Sequence, residues 1–67
     1  MKILLNNKEE VIEAGSITIS ELLVLKKFTW KMLIIKVNGR VLKRSEYDTT
    51  TVKDGDDVSV FHLITGG

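Results

Sequence analysis

Asn38-Gly39 follows the most apolar stretch of the chain, Met32-Leu33-Ile34-Ile35-Lys36-Val37, and precedes a short apolar pair, Val41-Leu42. Both central residues of a tight type I′ turn need positive φ, which Asn and Gly adopt most easily. The dipeptide between two apolar runs therefore predicts a β-hairpin. Leu33, Ile35 and Val37 share one face of its first strand, 32–37, whose near-continuous apolarity predicts a central place in a sheet. Asn6-Asn7 predicts a second hairpin nearer the N-terminus. Its strands are 2–5, with Ile3 and Leu5 on one face and Lys2 and Leu4 on the other, and 9–14, with Ile12 and Ala14 facing in. Glu9, Glu10 and Glu13 suit an exposed edge that must not recruit another strand.

One helix lies between the hairpins. Thr18-Ile19-Ser20-Glu21 is a capping box, and Ile17 before the cap with Leu22 inside fits a hydrophobic staple. Leu22, Leu23 and then Leu25 or Lys26 carry the pattern towards Phe28, and Lys26-Lys27 complements the negative helix end. Residues 43–53 show no clean period and predict an irregular crossover with a helical turn near Ser45-Glu46-Tyr47. Asp54-Gly55-Asp56 is a tight turn. The last strand is 57–64, with Val58 and Val60 inward and Ser59, Phe61 and Leu63 outward. The first and last strands are both strongly apolar and are expected to lie side by side. The result is an α+β architecture of the β-grasp kind: a mixed sheet of four to five strands packed on one helix. Residues 1–64 form the single domain and 65–67 a flexible tail.

The 67 residues carry 10 Lys+Arg against 9 Asp+Glu, no Cys and no Pro. A chain this short buries only about 60% of the surface of its unfolded form, which leaves little room for an enclosed catalytic pocket. One His, no Cys and scattered carboxylates make a thin catalytic inventory, so no enzyme and no metal site is expected. A net charge of +1 gives no general reason to bind nucleic acid or a membrane. The absence of an 18-residue apolar run and of a signal-peptide pattern leads to the expectation of a cytoplasmic protein.

Three stretches carry a resemblance: Val37-Asn38-Gly39-Arg40-Val41-Leu42, Lys53-Asp54-Gly55-Asp56-Asp57-Val58 and the terminal Ile64-Thr65-Gly66-Gly67. In order, spacing and total length they are similar to the ThiS family, the sulfur carriers of thiamine biosynthesis with a ubiquitin-like β-grasp fold. Lys43 stands where the family often has proline, and Thr65 where it has a small or apolar residue. Trp30 has no assignable counterpart. The first departure bears on a local turn and the second on which partner accepts the tail; neither touches Gly66-Gly67.

The resemblance implies a chemistry. A free carboxylate is a poor electrophile. In this family a ThiF-like, E1-type adenylyltransferase activates the terminal glycine with ATP, a sulfur donor protein converts the adenylate to a thiocarboxylate, and a thiazole synthase takes the sulfur. Gly67 is then the modified residue, ATP belongs to the partner enzyme, and the carrier binds no cofactor of its own. Glycines let another backbone approach closely. Four extended residues, Ile64, Thr65, Gly66 and Gly67, reach roughly 13 Å at about 3.3 Å each, enough to enter a buried site. Taken alone, a terminal Gly-Gly is an ordinary frayed end; after a final strand in this fold it is read as a handle.

Leu4, Ile34, Phe61 and Leu63 are expected on the sheet face away from the helix, as an apolar docking patch leading to the tail. Phe61 is its best anchor. Arg40, Lys43 and Arg44 are given a weak steering role towards the partner, with Arg44 placed among the partner-binding residues. His62 reads as a strand residue near the rim, and Asp54, Asp56 and Asp57 as turn chemistry rather than a cation site. The rival readings are a molybdopterin-type sulfur carrier, a ubiquitin-like protein modifier, and a β-grasp interaction module with an incidental Gly-Gly end.

Overall fold

The computed structural model describes residues 1–28 and 33–62, the last of these by its backbone alone. Its elements in chain order are β1 (Lys2–Leu5), β2 (Lys8–Val11), β3 (Ser16–Thr18), α1 (Ile19–Leu25), β4 (Leu33–Val37), β5 (Arg40–Val41), a 3₁₀ turn (Arg44–Glu46), β6 (Thr51–Lys53) and β7 (Asp57–His62). Five strands form a mixed sheet in the order β2-β1-β7-β4-β5, and β3 pairs with β6 in a separate two-stranded ladder. β1 and β7 lie side by side, as their shared apolarity predicts, and run parallel; the other pairs are antiparallel. None of the described helices is long and apolar enough to cross a membrane.

Both hairpins turn as expected. Asn6 and Asn7 have φ of 52° and 66°, and Asn38 and Gly39 have 51° and 84°. The Asn side chains do more than tolerate these angles. Asn6 donates its N–H to the Val58 carbonyl at 2.9 Å, and its Oδ1 accepts the Val60 N–H at 2.8 Å. The side chain thus stands in for the next carbonyl of β1 after that strand has turned away. Asn38 accepts the Asp57 N–H at 2.9 Å and donates to Asp56 Oδ1 at 3.1 Å, tying the β4–β5 turn to the start of β7.

The capping box of α1 is present: Thr18 Oγ1 accepts the Glu21 N–H, and Glu21 Oε1 accepts the Thr18 N–H. Two further N–H groups of the first turn are satisfied from outside the helix. Ile19 donates to the Thr50 carbonyl at 2.9 Å and Ser20 to the Tyr47 carbonyl at 3.0 Å. The 43–53 crossover is therefore not irregular throughout. Its second half forms β6, which pairs Ile17 with Val52, a fully buried residue. The three-residue strands β3 and β6 are too short to show a period, so the ladder had no sequence signal.

Four boundaries also differ. β2 ends at Val11, while Ile12 stays buried and Ala14 half-buried beyond it. The second hairpin's return strand is Arg40–Val41, with the buried Leu42 just past it. The 3₁₀ turn starts at Arg44, one residue early. α1 ends at Leu25 rather than near Phe28 because Lys27 takes φ of 59°. The Lys27 N–H then bonds the Val24 carbonyl at 3.1 Å and the Phe28 N–H bonds that of Leu23 at 2.8 Å. This is a Schellman motif with lysine where glycine is usual.

The core consists of Ile3, Leu5, Ile12, Ile19, Leu22, Ile35, Leu42, Val52, Val58 and Val60, with no buried polar residue beside them among the described residues. Leu33 and Val37 pack against this cluster from the face they share with Ile35. At the other end of the sheet, the Met1 ammonium donates to the carbonyls of Ile12 and Ala14 and so extends the β1–β2 pairing. Glu46 closes the 3₁₀ turn by accepting the Lys43 N–H at 2.8 Å and pairing with Arg40 at 3.2 Å. The backbone hydrogen bond first, then Arg40, hold its carboxyl below the usual carboxylate pKa.

Three outcomes test these local arguments. Lys27→Gly relieves the left-handed strain and is expected to raise stability by about 0.5 kcal/mol, or Tm by roughly 2–4 °C, whereas Lys27→Ala gains nothing. Asn38→Ala is expected to cost about 2 kcal/mol in urea denaturation: about 1 for positive φ and about 0.5 for each of two exposed hydrogen bonds. Asn38→Gly keeps the turn and loses only the second part. The Glu46 contribution is complete above its unfolded pKa and is lost as pH falls through its lower folded pKa. Thermal melts across the acid range should therefore show a smaller acid-side decline for Glu46→Gln.

Candidate functional site

Inward residues alternate with outward ones along each strand, so burying Ile3, Leu5, Ile35, Val58 and Val60 turns their neighbours to the opposite face. β7 lies between β1 and β4, and its outward residues are Asp57, Ser59 and Phe61. Ile34 is directly opposite Phe61, and Lys36 is opposite Ser59. The sheet end that bears Phe61 and Ile34 is also where the chain leaves β7 after His62. Leu63 and the tail residues Ile64, Thr65, Gly66 and Gly67 lie outside the described residues, as does Trp30; the side chain of His62 does too.

The structure brings together only part of the expected patch. Phe61 is 51% exposed and forms a cross-strand pair with the half-buried Ile34. Leu4 is exposed on the same face, but its partner in β7 is Asp57. Four residues of extended chain, about 13 Å, separate that position from Phe61, with Ser59 between. Leu4 and the Phe61–Ile34 pair are therefore two apolar spots rather than one continuous patch. The offset follows from the β1–β7 register, which begins at the first residue of β7.

Two residues that belong to this surface escaped the sequence reading. Lys36 Nζ sits 6.0 Å from the centre of the Phe61 ring, at the outer limit of a cation–π contact. Val41, opposite Lys36 on β5, is 56% exposed. The alternation that turns Ile34 outward also turns Lys36 outward, so that signal was available. The Val41 facing needed the register of the hairpin.

Charge gathers on the β4–β5 side. Lys36, Arg40, Lys43 and Arg44 are all exposed. Arg40 is engaged by Glu46, whereas Lys43 and Arg44 form no ion pair among the described residues. Of these cations, Lys36 lies beside the Phe61 ring.

Two of the three aspartates act through their side chains within the fold. Asp54 Oδ1 accepts the Lys2 N–H at 2.7 Å. Asp56 accepts the Lys53 N–H at 2.9 Å through one oxygen and the Asn38 amide through the other. Gly55, with φ of 89°, donates to the Lys2 carbonyl at 2.8 Å. This turn fastens β1 and the β4–β5 hairpin to the start of β7. No group of three or more His, Cys, Asp or Glu among the described residues is arranged to hold a metal ion.

Comparison with known proteins agrees with this arrangement. Residues 2–67 match the sequence profile of the ThiS family. The crystal structure of the thiamine biosynthesis protein ThiS from Geobacter metallireducens is 36% identical over the whole of both chains and superposes with a TM-score of 0.91. A solution NMR structure of a thiamine biosynthesis protein from the same organism gives 36% identity and a TM-score of 0.82, covering all of this chain and 88% of the other. A search of curated proteins found no match. With the family profile spanning nearly every residue and the superposition spanning all of them, the chain belongs to the ThiS family.

Proposed function

We propose that this protein carries sulfur for thiazole formation in thiamine biosynthesis, as a protein substrate rather than a catalyst. The observation that carries the reading is the family match through the terminal Gly66-Gly67 on a fold whose central strand leads into that segment. In this role the body needs no catalytic constellation of its own. Its task is to be recognised and to present one carboxylate.

The chemistry proceeds in two steps. A carboxylate oxygen of Gly67 attacks the α-phosphorus of ATP on a ThiF-like adenylyltransferase, and pyrophosphate leaves. The acyl-adenylate has AMP as its leaving group. A hydrosulfide equivalent from a sulfur donor protein attacks the acyl carbon, AMP departs, and the thioacid loses its proton to give the thiocarboxylate. The thiazole synthase then takes that sulfur. The activated acyl group is open to hydrolysis, so a narrow, water-poor channel around the tail protects it. Gly66 and Gly67 suit such a channel because no Cβ widens the chain. Thr65, being branched, narrows the set of channels that accept it.

Phe61 and Ile34, with Lys36 beside them, form the docking surface for the adenylating partner; the exposed Lys43 and Arg44 steer its approach, and Leu4 adds a second contact. Phe61 is half exposed and its neighbour Ile34 half buried, so the pair contributes more to association than to folding.

Intact mass spectrometry after incubation with ATP, the adenylating partner and a sulfur source tests the chemistry. The C-terminal peptide is expected to gain an adenylyl group and then to exchange one oxygen for sulfur. Deletion of Gly67 should abolish both changes and leave the melting curve in place. A C-terminal peptide unmodified by any cognate partner would favour a plain interaction module. Phe61→Ala is expected to weaken partner binding at least tenfold, as removal of an aromatic anchor does, while losing no more than about 1.5 kcal/mol of stability. A larger stability loss would place Phe61 in the core and overturn the surface assignment.

A further inference from the structure

α1 has a second apolar face. Ile19 and Leu22 are fully buried, with Leu23 packed beside them. Val24 and Leu25 of α1 lie on a different side, and Ile17 of β3, half-buried against the core, borders them. With Ala14 they line an open trough of about 820 Å³ between the helix and the chain leaving β2. Val24 is 78% exposed and Leu25 54%, a costly arrangement for a seven-residue helix in a chain this small. The trough lies on the helix side of the sheet, away from Phe61 and Ile34.

Its rim is acidic. Glu10, Glu13 and Glu21 border it, and the one cation there among the described residues, Lys26, is paired with Glu10 at 3.0 Å. Three carboxylates against one ammonium leave a local charge of −2 in a chain whose total is +1. That charge selects among occupants. A second copy related by a two-fold axis would bring one Glu rim against the other. Phosphates of a nucleic acid or an anionic membrane meet the same repulsion. A partner with apolar residues for the floor and cations for the rim meets neither obstacle.

We propose that the trough docks a basic amphipathic helix of a partner protein, its apolar stripe on Ile17, Val24 and Leu25 and its Lys or Arg residues against Glu13 and Glu21. A helix seated in a groove presents its anchors at i, i+3, i+4 and i+7. The site stands whether or not Gly67 carries sulfur. Its position leaves the sheet face open, so two partners can be held at once.

The test is an NMR titration of the full chain with a synthetic helix of repeated Leu-Lys-Lys-Leu-Leu-Lys-Leu, beside a version with Glu for Lys. Saturable shifts are expected within residues 10–14 and 17–26, weakening several-fold between low salt and about 0.3 M. Val24→Gln with Leu25→Gln should reduce affinity roughly tenfold without moving Tm, since both side chains project into solvent. Glu13→Lys with Glu21→Gln, which preserves the capping box, should weaken binding and flatten its salt dependence. Shifts centred on Ile34, Lys36 and Phe61, no saturable binding, or equal binding of the Glu version would overturn the proposal. So would self-association of the free protein through these residues, or nuclear Overhauser contacts from the Trp30 indole to the Val24 and Leu25 methyls.

Discussion

β7 is paired on both edges. Asp57 and Val58 meet Leu4 and Leu5 in parallel, and Val58 to His62 meet Val37 to Leu33 antiparallel. A parallel partner cannot be reached by a short turn. The chain must therefore pass through β2, the helix, the second hairpin and the crossover before its last strand can lie against its first. That closure joins the two halves of the molecule. Ile3 and Leu5 from one end of the sequence meet Val58 and Val60 from the other, and α1 covers them with Ile19 and Leu22. The hydrogen bonds that guard this seam come from turns: Asp54 and Gly55 to Lys2, Asn6 to Val60, Asn38 to Asp57.

The central strand also organises the surfaces. Because β7 alternates, the residues that build the core oblige Phe61 to face away from it, opposite Ile34. The neighbouring strand β4 adds Lys36, and the edge strand β5 adds Val41. The sheet face thereby places Lys36 beside the Phe61–Ile34 pair, while the helix side carries an apolar trough with carboxylates around it. Such a division gives a small protein two distinct surfaces. It fits a molecule whose proposed work consists of being recognised by successive partners.

Much of this was legible because the signals were local. Asn-Asn and Asn-Gly announced two turns through the need for positive φ, and the Thr18–Glu21 spacing announced a helix start. The two-residue repeat of strands at 2–5, 32–37 and 57–64 sorted the inner face from the outer one. The helix end was misread because Lys26-Lys27 suggests a favourable charge at a continuing helix, while the left-handed Lys27 stops it. β3 and β6 escaped because three residues cannot display a period, and their pairing depends on the crossover returning to the helix start. The continuity of the docking patch was overestimated for a related reason. Alternation tells which face Leu4 and Phe61 occupy, but not how far apart the register sets them.

The sequence by itself determined the turns, the cap, the inward and outward sets of each strand, and the three motifs that carry the family resemblance. Each depends on backbone preferences or side-chain spacing within a few residues, which a linear chain displays directly. Only the tertiary structure decided the β1–β7 offset, the β3–β6 ladder, the placing of Lys36 over Phe61 and the acidic trough beside α1. These depend on which distant segments come to lie together. That choice is made by the collective burial of one apolar core, a quantity no short stretch of sequence contains.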